Sequence, residues 1–223
     1  MIQLGYTENI HLLSEQAIFF LYSILAEEEK RRIEKLYRWH DRQASLLGKF
    51  LLYQLLGGQE NDKEILSRLT YSQYGKPLLE GTGISFNISH SGDYVVCAVS
   101  EQQEIGLDIE KVENVQLDDF TGTLSEDEFS HIIKSPQKNL TFFKTWTKKE
   151  AILKARGSGI VSDMSGFKQI DEGVVTFRQE SFFVTEIDID PQYCCTLAGT
   201  RMHEPVRKIK LIPEEQIPGS FFS

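Results

Sequence analysis

Two segments constrain this chain more than any others: an apolar run that carries two acids, and a later run with helical spacing. The first is Ile105–Lys111 and the second is Trp146–Lys154. Successive side chains on a strand point to opposite faces, so Asp108 and Glu110 share one face. Residues four apart share a face of a helix, so Glu150 lies in line with both ends of the second run.

If this strand and this helix pack together, three carboxylates and the ammonium of Lys154 meet. Such a group predicts an oxygen-rich site for Mg²⁺, with a cation nearby for a phosphate. Two like charges on one strand face repel unless a cation neutralises them, which favours this interpretation of Asp108 and Glu110. The plain alternatives are an exposed strand end and a surface ion pair between Glu150 and Lys154, worth about a few tenths of a kcal/mol.

Composition narrows the class of protein. The chain has 223 residues, of which 40% are hydrophobic and 26% charged, as is usual for a globular protein with one or two domains. The apolar run at residues 17–25 is too short to span a bilayer, and the N-terminus lacks the features of a signal peptide. A net charge of −9 argues against nucleic-acid binding. Because Cys97, Cys194 and Cys195 form no disulfide framework, we expect a reduced, cytoplasmic protein that does not enter a membrane.

Residues 27–56 predict a helix that breaks near residues 39–41. One face of this helix is basic, with cations three or four residues apart at Arg31, Lys35, Arg38 and Arg42. A solvated helix face is the simplest explanation of such a stripe.

The rest of the chain predicts strands, then helices, then strands again. Residues 68–111 read as strands in which the short links at 90–93 and 100–103 favour antiparallel hairpins. Residues 117–157 favour helices, with a cap at Ser125 and an end at Gly157. Further strands are predicted at 174–177, 182–189, 194–197 and 206–211. This order predicts an α+β fold in two similar halves, residues 1–103 and 104–223.

Ser89 is followed directly by His90, which invites a hydrolase interpretation. The Gly-x-Ser-x-Gly elbow is missing, however, and no third member of a triad can be assigned. A histidine beside hydroxyls and Gly92 could instead donate hydrogen bonds to phosphate oxygens. A turn histidine with no role in binding is the third alternative.

Four motifs occur together in a particular order. They are Gly75-Lys76-Pro77, Phe86-Asn-Ile-Ser-His-Ser-Gly92, Gly106-Leu-Asp-Ile-Glu110 and Trp146-Thr-Lys-Lys-Glu-Ala-Ile-Leu-Lys154. In these motifs and in length the chain resembles the Sfp-type 4'-phosphopantetheinyl transferases over residues 27–200. The resemblance implies two pseudo-symmetric α+β halves with the active site in the cleft between them.

The resemblance also implies an activity: transfer of phosphopantetheine from coenzyme A to a serine of an acyl- or peptidyl-carrier protein, releasing adenosine 3',5'-bisphosphate. It assigns the site residues as follows: Asp108, Glu110 and Glu150 to Mg²⁺, Lys154 and His90 to the pyrophosphate, Ser89 and His90 to the 3'-phosphate, and Lys76 to the adenosine. The catalytic pair would be Glu150, as the base or the orienter of a basic water, and Lys154, which would neutralise or protonate the leaving oxygen.

The first long helix departs from the family pattern. Family members often carry an arginine shortly after an aspartate, and here Arg42 follows Asp41 directly. An earlier basic position holds Glu29, with Lys30 and Arg32 nearby. The resemblance therefore implies Arg42 and Arg32 as contacts of the 3'-phosphate.

Carrier proteins are usually acidic, and this chain is acidic too, so a productive encounter needs a local positive face. The basic stripe could serve either the coenzyme phosphates or the carrier. Apolar residues could dock the carrier instead, unless they belong to the core: Val112, Val115, Leu117 and Phe120. We expect a monomer, since two halves in one chain complete the site. Two competing functions remain open, a non-catalytic binder of coenzyme A or carrier and a Mg²⁺-dependent hydrolase of the same pyrophosphate.

Overall fold

A computed structural model describes residues 1–58, 63–159, 164, 166–201 and 204–216. The strands are β1 Ile2–Glu8, β2 Leu69–Tyr71, β3 Pro77–Leu79, β4 Ser85–Ser91, β5 Tyr94–Ser100, β6 Ile105–Lys111, β7 Phe167–Asp171, β8 Val174–Phe177, β9 Glu180–Glu186, β10 Tyr193–Gly199 and β11 Val206–Lys210. The helices are α1 Glu15–Ser23, α2 Glu27–Glu34, α3 Trp39–Leu55, α4 Lys63–Leu66, α5 Glu126–Lys134, α6 Lys138–Arg156 and α7 Pro213–Gln216, with a 3-10 helix at Leu117–Phe120.

The chain divides into two compact units. The first contains the described residues of Met1–Ser72, Pro77–Gln102 and the segment from Pro205 to Gln216. The second contains Gln73–Lys76 and Gln103–Glu204.

The first unit packs helix α3 against a four-stranded sheet of order β11-β1-β5-β4. Apolar residues of α3 recur at helical spacing and are buried, among them Leu47, Phe50 and Leu51. They form one core with Phe86 of β4 and other residues of the sheet. Helix α1 begins at Ser14, whose hydroxyl accepts a hydrogen bond from the amide of residue 17, so this helix start has a side-chain cap.

The second unit packs helix α6 against a five-stranded sheet of order β6-β10-β9-β8-β7. The predicted cap is present, since the Ser125 hydroxyl and the Glu128 carboxylate form a reciprocal capping box at the start of α5. Helix α6 ends at Gly157 as predicted, in the left-handed conformation with φ 73°. Each unit therefore repeats one plan, a long helix on a mainly antiparallel sheet.

Several predicted elements are confirmed, and one connection is wrong. The helix predicted over 27–56 is broken into α2 and α3, and β4 and β5 form the predicted antiparallel hairpin. The link at 100–103 is not a hairpin, because β5 and β6 belong to different sheets. One segment of the first unit ends at Gln102, and β11 follows much later in the chain. Strand β11 pairs in parallel with β1 and lies in the first unit.

No helix in the described part of the chain is both long and apolar enough to cross a membrane.

A buried polar cluster ties α2 to α3 and β2. Glu29 is only 4% exposed, and the Tyr71 hydroxyl donates to its carboxylate, at 2.8 and 2.9 Å from the two oxygens. The ammonium of Lys49 lies 3.5 Å from the same carboxylate, and the Arg32 guanidinium stacks 3.9 Å from the centre of the Tyr71 ring. Burial, and then the hydrogen bond to Glu29, raise the pKa of Tyr71 above its ordinary value of 10.0. The cluster supplies partners for a carboxylate that would be costly to bury alone.

We predict that Tyr71→Phe lowers the free energy of unfolding near neutral pH by about 1.5–3 kcal/mol, the usual worth of a hydrogen bond to a charged group. Because folding raises the pKa of Tyr71, its contribution is fully present below pH 10 and is lost as the pH rises further. Urea denaturation of both proteins at neutral pH and at about pH 10.5 measures this. The difference between wild type and variant should shrink at the higher pH, and a constant difference would contradict the assignment.

Candidate functional site

Helix α6 lies directly on strand β6 at Gly106. A Cβ atom at this position would lie 2.0 Å from the carbonyl oxygen of Ala151 and 2.2 Å from the amide nitrogen of Ala155. Both are backbone atoms of α6, so no side chain fits between strand and helix here. Because alternate strand residues share a face, Asp108 and Glu110 stand on the same face as Gly106, the face that carries α6.

Asp108 and Glu150 are brought together by this contact. Asp108 is 3% exposed and Glu150 is 7% exposed. Burial raises the pKa of Glu150, the negative charge of Asp108 raises it further, and the Lys154 ammonium lowers it. Two carboxylates thus lie near each other in a poorly solvated place, an arrangement that favours a bound cation.

Lys154 stands beside the two acids. Its ammonium lies 2.5 Å from Asp108 Oδ1 and 3.2 Å from the carbonyl oxygen of Leu107. The lysine therefore connects helix α6 to strand β6 by a charge-assisted hydrogen bond. This pairing across the two elements differs from the surface pair with Glu150 that sequence spacing alone suggested.

A second contact between helix and sheet lies next to the acids. Thr147 and Thr196 are buried, and their hydroxyl oxygens are 3.0 Å apart. Thr196 is the cross-strand partner of Asp108 on β10, and Thr147 precedes Glu150 by one helical turn. The hydroxyl pair therefore fixes α6 against the sheet beside the two carboxylates.

The third predicted ligand has a different environment. Glu110 is half-buried and pairs across the sheet with Cys194. Among the described residues, no three His, Cys, Asp or Glu side chains are grouped closely enough to hold a metal ion. The structure thus brings Asp108 and Glu150 together and places Glu110 on the same strand face without completing a group of three.

The two buried acids nevertheless suit a divalent cation. Glu150 Oε1 is buried and has no hydrogen-bond partner among the described residues. Buried polar atoms are nearly always satisfied, so an orphaned carboxylate oxygen beside a second acid marks a place where a cation would bind. Mg²⁺ takes one or two carboxylates and completes its shell with water and phosphate oxygens.

The side chains of Ser89 and His90 point to opposite faces of strand β4. Ser89 is buried and His90 is exposed, as expected for neighbouring residues of a strand. A nucleophile and its base must lie within hydrogen-bond reach, so this arrangement does not support a Ser89–His90 hydrolytic pair.

Lys76 belongs to the second unit with the acids. Its ammonium lies 2.9 Å from Glu104 Oε2 and 3.3 Å from the carbonyl oxygen of Ala155, near the end of α6. Its Cδ lies 3.3 Å from the position that a Cβ on Gly157 would take. Lys76 is therefore held at the C-terminal end of the helix that carries Glu150.

The two arginines assigned to the 3'-phosphate differ in how firmly their side chains are held. Arg32 is held by Glu28, at 3.3 Å, and by stacking on Tyr71. Arg42 is exposed in the first turn of α3. The acid in the expected basic position, Glu29, points into the buried cluster with Lys49 and Tyr71, so the structure uses it for internal pairing.

Trp146 is partly buried and packs against the core of the second unit. It packs edge-on against Phe120 and is stacked with Phe142. The apolar segment before α5 joins the same cluster through Val115 and Leu117. Core packing thus accounts for much of the segment considered for carrier docking.

Sequence patterns missed three contributors to the site: Gly106, Thr147 and Thr196. The signal for Gly106 was present, because a glycine inside an apolar strand often marks the close approach of another backbone. The threonines carried no such signal, since their pairing depends on which strand lies beside β6.

Two family models match the chain in tandem. Residues 13–102 match the N-terminal domain model of 4'-phosphopantetheinyl transferases. Residues 104–199 match the model of the 4'-phosphopantetheinyl transferase superfamily. The junction between the matches falls beside the boundary between the two structural units at residues 102 and 103.

Full-length relatives agree with these matches. The chain is 27% identical over 190 residues to 4'-phosphopantetheinyl transferase Sfp of Bacillus subtilis, covering 81% of this chain and 84% of that protein. It is 28% identical over 224 residues to 4'-phosphopantetheinyl transferase gsp of Aneurinibacillus migulanus, covering 95% and 92%. It is 32% identical over 148 residues to 4'-phosphopantetheinyl transferase HetI of Nostoc, covering 63% and 62%.

We predict that Gly106→Ala lowers the free energy of unfolding by about 3 kcal/mol, the upper end of the usual cost of overpacking, because the added methyl meets rigid helix backbone. Gly122→Ala is the matched control, since a Cβ there meets nothing within 4 Å. The control should stay within about 0.5 kcal/mol of wild type. Urea denaturation measures both variants, and a Gly106→Ala protein as stable as the control would contradict the described contact.

Proposed function

The chain belongs to the Sfp-type family of 4'-phosphopantetheinyl transferases, which transfer phosphopantetheine from coenzyme A to carrier proteins. We propose that this transfer depends on Mg²⁺ and that Asp108, Glu110 and Glu150 hold the ion. The observation that carries the metal proposal is the pair of buried acids, Asp108 and Glu150, one of which has an oxygen without a hydrogen-bond partner among the described residues. Glu110 would join as the outermost ligand from the same strand face.

The reaction sets the demands on these residues. The hydroxyl of a carrier serine attacks the β-phosphorus of coenzyme A, and adenosine 3',5'-bisphosphate leaves. Bound Mg²⁺ would supply Lewis-acid stabilisation of the charge that develops on the phosphate oxygens. The acids of β6 and α6 hold their positions before the substrate arrives, because Gly106 fixes the distance between the two elements.

Glu150 would receive the serine proton, directly or through a water that it orients. Burial and the charge of Asp108 raise the pKa of Glu150, and a bound Mg²⁺ would oppose that rise. Glu150 would therefore bind the ion through one carboxylate oxygen and accept the proton through the other. Its position on α6 beside Asp108 supports this role, since the proposed ion would hold the diphosphate at the same two acids.

Lys154 would neutralise or protonate the leaving oxygen. In the structure its ammonium is already held at Asp108, one helical turn beyond Glu150. A cation kept in place by a carboxylate needs little rearrangement to contact a pyrophosphate. With His90, it forms the proposed set of pyrophosphate contacts.

We further propose that Lys76, Ser89, Arg32 and Arg42 contact the adenosine and 3'-phosphate portion of coenzyme A. Stacking on Tyr71 fixes the guanidinium of Arg32, and a phosphate would have to displace its salt bridge to the exposed Glu28. We also propose a cytoplasmic monomer that binds no nucleic acid, in keeping with the free cysteines and the net charge of −9.

One assay separates the transferase from the alternatives. The protein is incubated with coenzyme A, Mg²⁺ and a panel of apo-carriers from fatty-acid, polyketide and nonribosomal peptide synthesis. The masses of the carriers are then measured by mass spectrometry. A carrier that gains one phosphopantetheine is the expected result. Coenzyme A cleaved without a carrier would indicate a hydrolase, and no turnover would indicate a non-catalytic binder.

We predict that Asp108→Asn lowers carrier modification by at least about 100-fold, because Lewis-acid stabilisation by a metal is worth several kcal/mol. The substitution keeps the size of the side chain. It removes both the repulsion of Glu150 and the ion pair with Lys154, two effects of opposite sign on stability, so the folded protein should persist. A titration of activity against Mg²⁺ and a thermal melt check both points. Asp171→Asn, at an exposed acid of β7, is the control and should behave like wild type. Near-native turnover of Asp108→Asn at saturating Mg²⁺ would refute the proposed metal site.

A further inference from the structure

A concentrated positive charge lies where α2 meets α3. Residues 30–42 contain six Lys or Arg and two Asp or Glu, a net charge of +4 within a chain of net charge −9. The remainder of the chain is therefore more acidic than the whole. Such a local reversal of sign shapes how charged molecules approach the protein.

Four of these cations form no salt bridge within the described part of the chain. Lys30 and Arg32 form salt bridges with Glu27, Glu28 and Glu29 on their own helix. By contrast, within the described residues no salt bridge involves the other four, which are all exposed: Arg31, Lys35, Arg38 and Arg42. Their charge remains available to a partner.

Large apolar side chains lie among the free cations. Tyr37 is 97% exposed, Trp39 is 42% exposed and Leu36 is 37% exposed. Aromatic residues and arginine are the types that dominate the binding energy of protein interfaces. A phosphate group gains nothing from contact with three exposed apolar side chains, whereas a protein partner can bury them. A protein partner therefore explains the combination of cations and apolar side chains better than a small anion does.

We propose that this surface, the α2–α3 patch formed by Arg31, Lys35, Leu36, Tyr37, Arg38 and Trp39, docks the acidic carrier protein. The inference rests on the proposed function, since it names the surface that recruits the second substrate. Charge complementarity is the argument: an acidic enzyme repels an acidic carrier except where its own charge is reversed.

The α2–α3 patch would act mainly on the rate at which enzyme and carrier associate. Complementary charges at the rim of an interface raise the association rate and orient the partner, and salt screens this effect. The exposed Tyr37 and Trp39 would then supply apolar contact area once the carrier is seated. Carrier recognition should therefore weaken as ionic strength rises, whereas the affinity for coenzyme A should change less.

The test is a charge reversal with a matched control. Lys35→Glu with Arg38→Glu removes the centre of the patch, and Lys168→Glu with Arg207→Glu makes the same change in net charge at exposed positions on β7 and β11. We expect the patch variant to raise the KM for the carrier about 10-fold at low salt and to leave kcat and the KM for coenzyme A unchanged. The control variant should keep the wild-type KM for the carrier.

Each other outcome overturns the inference. Equal effects of the two variants would mean that only net charge matters. A raised KM for coenzyme A alone would assign the patch to the coenzyme phosphates. Binding to vesicles that contain phosphatidylserine, lost in the patch variant while the KM for the carrier stays unchanged, would assign it to a membrane. Wild-type protein that modifies no apo-carrier would instead refute the proposed function, so the two failures are distinguishable.

Discussion

The close contact between strand β6 and helix α6 at Gly106 determines the arrangement of the site. Backbone meets backbone there, so the distance between the two elements cannot vary with the choice of side chain. Asp108 stands two residues further along the strand, and Glu150 lies next to Ala151, which forms the contact on the helix side. The hydroxyl pair of Thr147 and Thr196 and the hydrogen bonds of Lys154 hold the same interface beside it. The positions of the two buried acids therefore depend on one packing contact.

This arrangement has an unfavourable electrostatic free energy. Two carboxylates buried near each other oppose folding, and the raised pKa of Glu150 is the sign of that opposition. Lys154 offsets part of this unfavourable free energy by binding Asp108, and the hydrophobic packing of α6 on the sheet also opposes it. The contrast with Glu29 is informative, because that acid is equally buried but is satisfied by Tyr71 and Lys49. A buried acid with its partners in place stabilises the fold, whereas one that lacks a partner is ready for a ligand.

Local patterns predicted the elements that local forces create. The alternation of β6, the spacing of α6, the cap at Ser125 and the break between α2 and α3 follow from propensity and periodicity. Pairings between distant segments were not predictable in this way. A parallel pair such as β1 with β11 has no turn between its strands, and the short link after β5 resembles a hairpin although it leads to a different sheet. The same limit applies to the site. Asp108 and Glu150 could be matched from the strand and helix periods, but the bond from Lys154 to Asp108 and the pairing of Thr147 with Thr196 depend on tertiary packing.

We propose that β6 and α6 together hold a divalent ion against the diphosphate of coenzyme A. Crystals grown with coenzyme A and Mn²⁺, which substitutes for Mg²⁺ and scatters X-rays anomalously, would locate that ion directly. The account predicts a single strong anomalous peak about 2.1 Å from carboxylate oxygens of both Asp108 and Glu150 and from an oxygen of the diphosphate. A peak bound by other residues, or none at these two acids while coenzyme A is present, would contradict it.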